Sequence, residues 1–141
     1  MVGRWAEAAM TIAPLPLPGL ITLLAVITFQ ATALQVGQAR QRDGVKPPLM
    51  TGPPAFERAV RVQQNTLEQL VVFLPAFWLA VLLSNATAAS VMGAFWVLGR
   101  VLYAVGYLRA PEQRAPGFAI SFLASTVLLV MALVGCLMRL L

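Results

Sequence analysis

The chain has 141 residues, of which 60% are hydrophobic and 11% charged, with ten basic residues against five acidic ones. A soluble globule carries roughly a quarter of its residues charged to cover a water-facing surface, so this composition excludes the soluble class and large polar disordered regions with it. Cys136 is the single cysteine and histidine is absent, which excludes an intrachain disulfide, a Ser-His-Asp triad, and a zinc site of histidine or several cysteines; no metal site is expected.

The charges are unevenly placed. No Asp, Glu, Lys or Arg falls between Glu7 and Arg40, between Glu68 and Arg100, or between Arg114 and Arg139, and about 20 apolar residues cross a bilayer. The first predicted helix covers about 19–40, after Pro14, Pro16 and Pro18, because proline is tolerated only in a first turn. The second covers about 56–83, after the turn-forming run Gly52-Pro53-Pro54. Pro75 inside it predicts a kink rather than an end. Ser84-Asn85-Ala86-Thr87 then breaks the pattern as a tight helical hairpin does. The third helix covers about 88–108; Pro111 and Pro116-Gly117 punctuate the next turn, and the fourth covers about 118–138.

Residues 1–141 therefore read as a single all-α domain, an integral membrane four-helix bundle. Helix two is expected to be the longest and to project beyond the bilayer at its charged start. Ala31-Thr32-Ala33, with Arg4 ahead of it, resembles a secretory cleavage site. The apolar stretch before it is longer than a usual signal core and three prolines interrupt its approach, so a retained helix is preferred.

Four spans place both termini on one side and the first and third loops on the other. Arg40, Arg42, Lys46, Arg58, Arg61, Arg109 and Arg114 belong to the loop side, against Arg4 and Arg139 on the terminal side. That bias puts the two loops in the cytoplasm. Charges at helix ends are topology signals, so nucleic-acid binding is not expected of this basic chain. Nine arginines against one lysine, with much alanine, are a composition common in GC-rich bacteria; if the chain is bacterial, the membrane expected is the inner one.

Topology does not account for charges inside helices, which cost at least a few kcal/mol each and usually mark function. On helix two, Arg61, Asn65 and Glu68 fall on one face at 3.6 residues per turn. Glu68 lies roughly 17 Å along the axis from Glu57 and is expected to be buried in protein. On helix three, Arg100, Tyr103 and Tyr107 form a second stripe at the same depth, with Arg109 and Arg114 just above it. The two stripes would line one polar pocket open to the cytoplasm. Its cations suit carboxylates and Glu68 suits an ammonium group, so a small zwitterion with more carboxylates than amines, such as a glutathione-like tripeptide, fits the inventory. The competing reading is that Arg61 and Glu68 pair simply to hold helices together.

Pro47-Pro48-Leu49, Thr51-Gly52-Pro53-Pro54 and the run from Phe56-Glu57-Arg58 through Arg61, Gln63, Gln64, Asn65 and Glu68 closely resemble the signature of the MAPEG family, membrane-associated proteins in eicosanoid and glutathione metabolism. Arg100 through Tyr107 to Arg114 resembles the family's third helix and following loop, so the likeness covers about 34–118. It implies homotrimers of four-helix bundles with glutathione bound between neighbouring subunits. The pattern is most like that of the leukotriene-forming glutathione transferases. By that resemblance Arg61, Asn65, Glu68, Tyr103 and Tyr107 hold glutathione within one subunit, and Arg40 and Gln63 reach it from the next. Arg114 corresponds to the arginine that stabilises the glutathione thiolate. A nearby cation lowers a thiol's pKa, and arginine stays protonated while doing so.

The resemblance thus implies a membrane glutathione transferase, a detoxification enzyme whose thiolate attacks lipophilic electrophiles, with lipid hydroperoxide reduction as a further activity. Gln69 and Gln41 depart from the leukotriene synthase pattern, which has a tyrosine and a second arginine there; the second departure favours a general transferase. Cys136, at the far end of helix four, is expected only to pack. Two alternatives stand beside this reading: a non-catalytic lipid-binding or scaffolding member of the same fold, against which Arg114 and both tyrosines argue, and an unrelated four-span transporter.

Overall fold

The computed structural model of the protein describes residues 15–141. Arg4, Glu7 and Pro14, used above, lie outside the described residues. The chain forms α1 (Pro16–Asp43), α2 (Pro54–Leu83), α3 (Ala86–Arg109), a 3-10 turn over Pro111–Arg114, and α4 (Ala115–Leu140). No strand occurs among the described residues. All four spans are long and apolar enough to cross a membrane, so the all-α membrane architecture expected from the charge gaps holds.

The helices begin two or three residues earlier than the sequence reading placed them, and for α1, α2 and α4 proline is the reason. Pro16 opens α1 and Pro54 opens α2, where the missing N–H is one that a first turn leaves unpaired anyway. The same physics corrects the reading of Pro116-Gly117 as turn punctuation: both residues lie in the first turn of α4. At 30 residues α2 is the longest α-helix, and it runs unbroken through Pro75. α1 ends on Gly44, whose φ of 66° is the left-handed conformation that glycine adopts without steric cost. Only Ser84 and Asn85 separate α2 from α3, and the Asn85 side chain accepts from the Ala88 N–H at 2.8 Å as the N-cap of α3.

α2 and α3 form the centre of the bundle, flanked by α1 on one side and α4 on the other. In the core Phe73 of α2 stacks on Trp96 of α3 at 4.1 Å and on Phe77 at 5.3 Å, with Leu128 of α4 fully enclosed beside them. The outward faces carry Leu23, Ile27 and Leu34 of α1, Val71 and Leu82 of α2, and Leu123, Val130 and Leu133 of α4, all largely exposed in the isolated chain. Lipid is as apolar as these side chains, so helix association rests on close packing instead. Gly99 of α3 and Gly117 of α4 supply it. A Cβ on Gly117 would strike the backbone of Tyr103, and one on Gly99 would strike the backbone of Ser121 and Gly117. The hydroxyls of Thr22, Thr32, Thr66, Ser90 and Ser121 donate to carbonyls three or four residues back, which satisfies them without water.

Candidate functional site

The site grows from two facts of helix geometry. On α2, Arg61, Asn65 and Glu68 share one face because spacings of three and four return to the same side. On α3, Tyr103 and Tyr107 follow the same rule, and their rings stack at 5.7 Å with an interplanar angle of 11°. The glycine contact between α3 and α4 then draws the start of α4 against Tyr103, and the 3-10 turn swings Arg114 back over the bundle. Its guanidinium sits 5.5 Å from the centre of the Tyr107 ring.

Arg61, Asn65, Tyr103, Arg114 and Phe118 converge on a cavity of about 280 Å³. A larger one of about 520 Å³ opens beside it, with Glu57, Arg58, Arg61, Gln64 and Tyr107 in its walls. Arg61 belongs to both, so the cavities meet at its side chain. The larger one alone falls within the roughly 300–1,000 Å³ of small-molecule sites. Asn65 donates to a Glu68 carboxylate oxygen at 3.4 Å, while its own carbonyl oxygen is buried without a donor. Together the two cavities offer three cations, Arg58, Arg61 and Arg114, an unused amide acceptor, two phenols and the carboxylates of Glu57 and neighbouring Glu68.

The match of a family model to residues 17–134, under the description MAPEG family, decides the kinship. The chain belongs to the MAPEG family. It is 48% identical over 131 residues to an uncharacterized protein of Synechocystis sp., covering 93% of this chain and 96% of that one. It is 37% identical over 117 residues to human microsomal glutathione S-transferase 2, covering 83% and 78%. It is also 37% identical over 119 residues to rat leukotriene C4 synthase, covering 84% and 79%.

Within this MAPEG chain the site residues expected from the sequence separate into two sets. Arg61, Asn65, Tyr103 and Arg114 line the smaller cavity, with Tyr107 stacked behind Tyr103 and Glu68 tied to Asn65. Arg40 and Gln63 stand apart. Gln63 lies about 200° around α2 from Arg61, on the side where Phe56 and Ala59 meet α1. The Arg40 guanidinium donates to the Leu49 carbonyl at 2.6 Å and to the Met50 sulfur at 3.1 Å, and lies 5.0 Å from the Phe56 ring centre.

Two details depart from expectation. Glu68 is exposed in the isolated chain rather than buried, because α2 turns Val62 and Thr66, not Glu68, into the bundle. Arg61 and Glu68 do not pair as a helix clamp; the ion pair among the described residues is Arg42 with Asp43 at 2.7 Å. Phe118 carried no sequence signal as a site residue. Its ring lies 6.3 Å from Tyr103 and 5.8 Å from exposed Phe122, so an aromatic surface leads from the cavity onto the apolar outer face of α4. Arg100 was legible as part of the α3 stripe but not as what it is, a fully enclosed cation.

Proposed function

We propose that the protein is a membrane-bound glutathione transferase that activates the glutathione thiolate and joins it to lipophilic electrophiles. One observation carries the reading: Arg61, Asn65, Tyr103 and Arg114 line one cavity. It is supported by kinship to proteins that include microsomal glutathione S-transferase 2. Arg61 holds a glutathione carboxylate by charge-assisted hydrogen bonds. Glu68 and the free Asn65 carbonyl take the ammonium end, and Tyr103 and Tyr107 donate along the backbone. The separate position of Arg40 and Gln63 suits a site shared between subunits of a homotrimer, in which a neighbour brings these two to the exposed face of α2.

Chemistry then needs one cation near sulfur. Arg114 stabilises the thiolate, so the thiol releases its proton to water at the open mouth of the cavity. The sulfur lone pair forms a carbon–sulfur bond with the electrophile, and the electrons of the broken bond leave with the displaced group, which takes up a proton. A lipophilic electrophile reaches the sulfur from the bilayer across Phe118 and Phe122. The topology that goes with this places the α1–α2 and α3–α4 loops, and glutathione, on the cytoplasmic side. The test is to mix purified protein with glutathione and follow thiolate absorbance, then add an aryl halide and detect the thioether. A protein that produces neither signal does not have this function.

A further inference from the structure

Arg100 is the fully enclosed charged side chain among the described residues. A guanidinium withdrawn from water is ordinarily matched by a carboxylate, and this one is not. Its Nη2 donates to the Thr66 hydroxyl of α2 at 2.8 Å, and that hydroxyl donates its own proton to the Val62 carbonyl at 2.7 Å. Nε and Nη1 meet no acceptor. The carboxylate that faces Arg100 from α2 is Glu68, which is exposed and bonded to Asn65 instead. What remains is the face of Tyr103, whose ring centre lies 4.1 Å from the guanidinium carbon. Arg100 and Tyr103 are one turn apart on α3, so the pairing is built into the helix.

The same Tyr103 lines the smaller cavity with Arg61, Asn65 and Arg114. Seen from that cavity, the buried cation stands behind the ring. It restrains the ring, because a ring that turned away would leave the charge with Thr66 alone. It also draws electron density across the ring, which strengthens the phenol as a hydrogen-bond donor. The charged and titratable groups facing Tyr103 are Arg61 of α2, Arg100 and Tyr107 of α3, and Arg114 of the turn. Of these, Arg100 lines neither cavity.

We propose that Arg100 is a positioning residue of the glutathione site, acting through Tyr103: it fixes the ring and makes its hydroxyl a stronger donor to an anionic group of bound glutathione. The inference rests on the glutathione-transferase reading above. A residue that only braces α2 against α3 would affect binding whether or not Tyr103 carried a hydroxyl. The experiment is therefore a double-mutant cycle on the full chain in detergent, with calorimetric glutathione affinity as the readout. Tyr103→Phe keeps the ring over the cation and removes only the hydroxyl. Arg100→Gln is expected to weaken binding about tenfold when Tyr103 is present and less than twofold in Tyr103→Phe. Arg100→Lys, which keeps the charge, is expected to recover most of the loss. Equal losses in both backgrounds, or a lysine variant no better than glutamine, overturn the inference. Should Arg100→Gln fail to fold, Thr66→Val loosens the guanidinium while keeping its charge. A loss confined to the Tyr103 background then supports the inference, and a loss of equal size in both backgrounds overturns it. Wild-type protein that binds no glutathione overturns the functional reading as well; normal wild-type binding with additive variants overturns this inference alone.

Discussion

Replacing Arg114 with alanine removes one cation from the wall of the smaller cavity and leaves Arg61, Asn65 and Tyr103 in place. The cavity of about 280 Å³ has room for a sulfur seated against its wall beside Arg114, with the two charges about 4 Å apart. At that distance two unit charges interact by ~1 kcal/mol in water and ~4 kcal/mol at an effective dielectric constant of 20. Arg114 is exposed at the rim, which puts its contribution toward the lower end, about 1–2 kcal/mol, or roughly one pKa unit on the thiol. Arg114→Ala is thus expected to raise the thiol pKa of bound glutathione by about one unit and to lower the thiolate fraction near neutral pH up to about tenfold. Glutathione affinity changes less, and raising the pH restores part of the activity because hydroxide then removes the proton. Arg114→Lys keeps the charge and retains part of the effect. The assay is thiolate absorbance as a function of pH, with Arg109→Ala as control, since Arg109 lines neither cavity. Superimposable titration curves for wild type and Arg114→Ala would refute the electrostatic role and leave Arg114 a topology signal.

Arg61→Ala is expected to weaken glutathione binding by about 1.5–3 kcal/mol through loss of a charge-assisted contact, measurable by calorimetry; equal affinity in Arg61→Ala and Arg109→Ala would mean the pocket is misplaced. Co-reconstituting inactive Arg40→Ala and Arg61→Ala subunits in equal amounts is expected to restore about a quarter of the sites, because in a ring of heterologous contacts one site in four draws both arginines from intact positions. No recovery would count against a shared site. Gly117→Val places carbons where the Tyr103 backbone runs, so it is expected to lower thermal stability in detergent and glutathione affinity together. Asn85→Ala removes the N-cap of α3 and is expected to cost about 1 kcal/mol of stability with glutathione affinity unchanged, since the α2–α3 connection lies at the opposite end of the bundle from the cavity.

The four spans were legible because intramembrane charge is expensive, so its absence over long stretches marks each helix. The helix starts were less so. Pro16, Pro54 and Pro116 read as breakers until the unpaired N–H groups of a first turn are counted, and then they read as openings. The polar stripe on α2 followed from helical periodicity alone, which names the residues that share a face. It does not say which face meets the rest of the bundle. Thr66 and Val62 turn inward because Arg100 and Tyr103 await them on α3, and that depends on how two helices pack, not on either spacing. Glu68 faces outward on the isolated chain for this reason. Phe118 was missed because its position depends on Gly117 letting α4 close against Tyr103, a contact between residues that no local pattern links.

The far end of the bundle is closed by a device whose timing matters. α2 ends at Leu83, and the Leu83 carbonyl receives a hydrogen bond from the Arg139 guanidinium, which also donates to Gly135 at 3.0 Å. These partners are 56 residues apart. During synthesis the α2–α3 hairpin reaches the bilayer while the residue that caps it is still unmade. The contact is exposed at the end of α2, so water serves the Leu83 carbonyl, like other last-turn carbonyls, until the last turn of α4 arrives. The Arg139 contact therefore joins the ends of α2 and α4 only once all four spans exist.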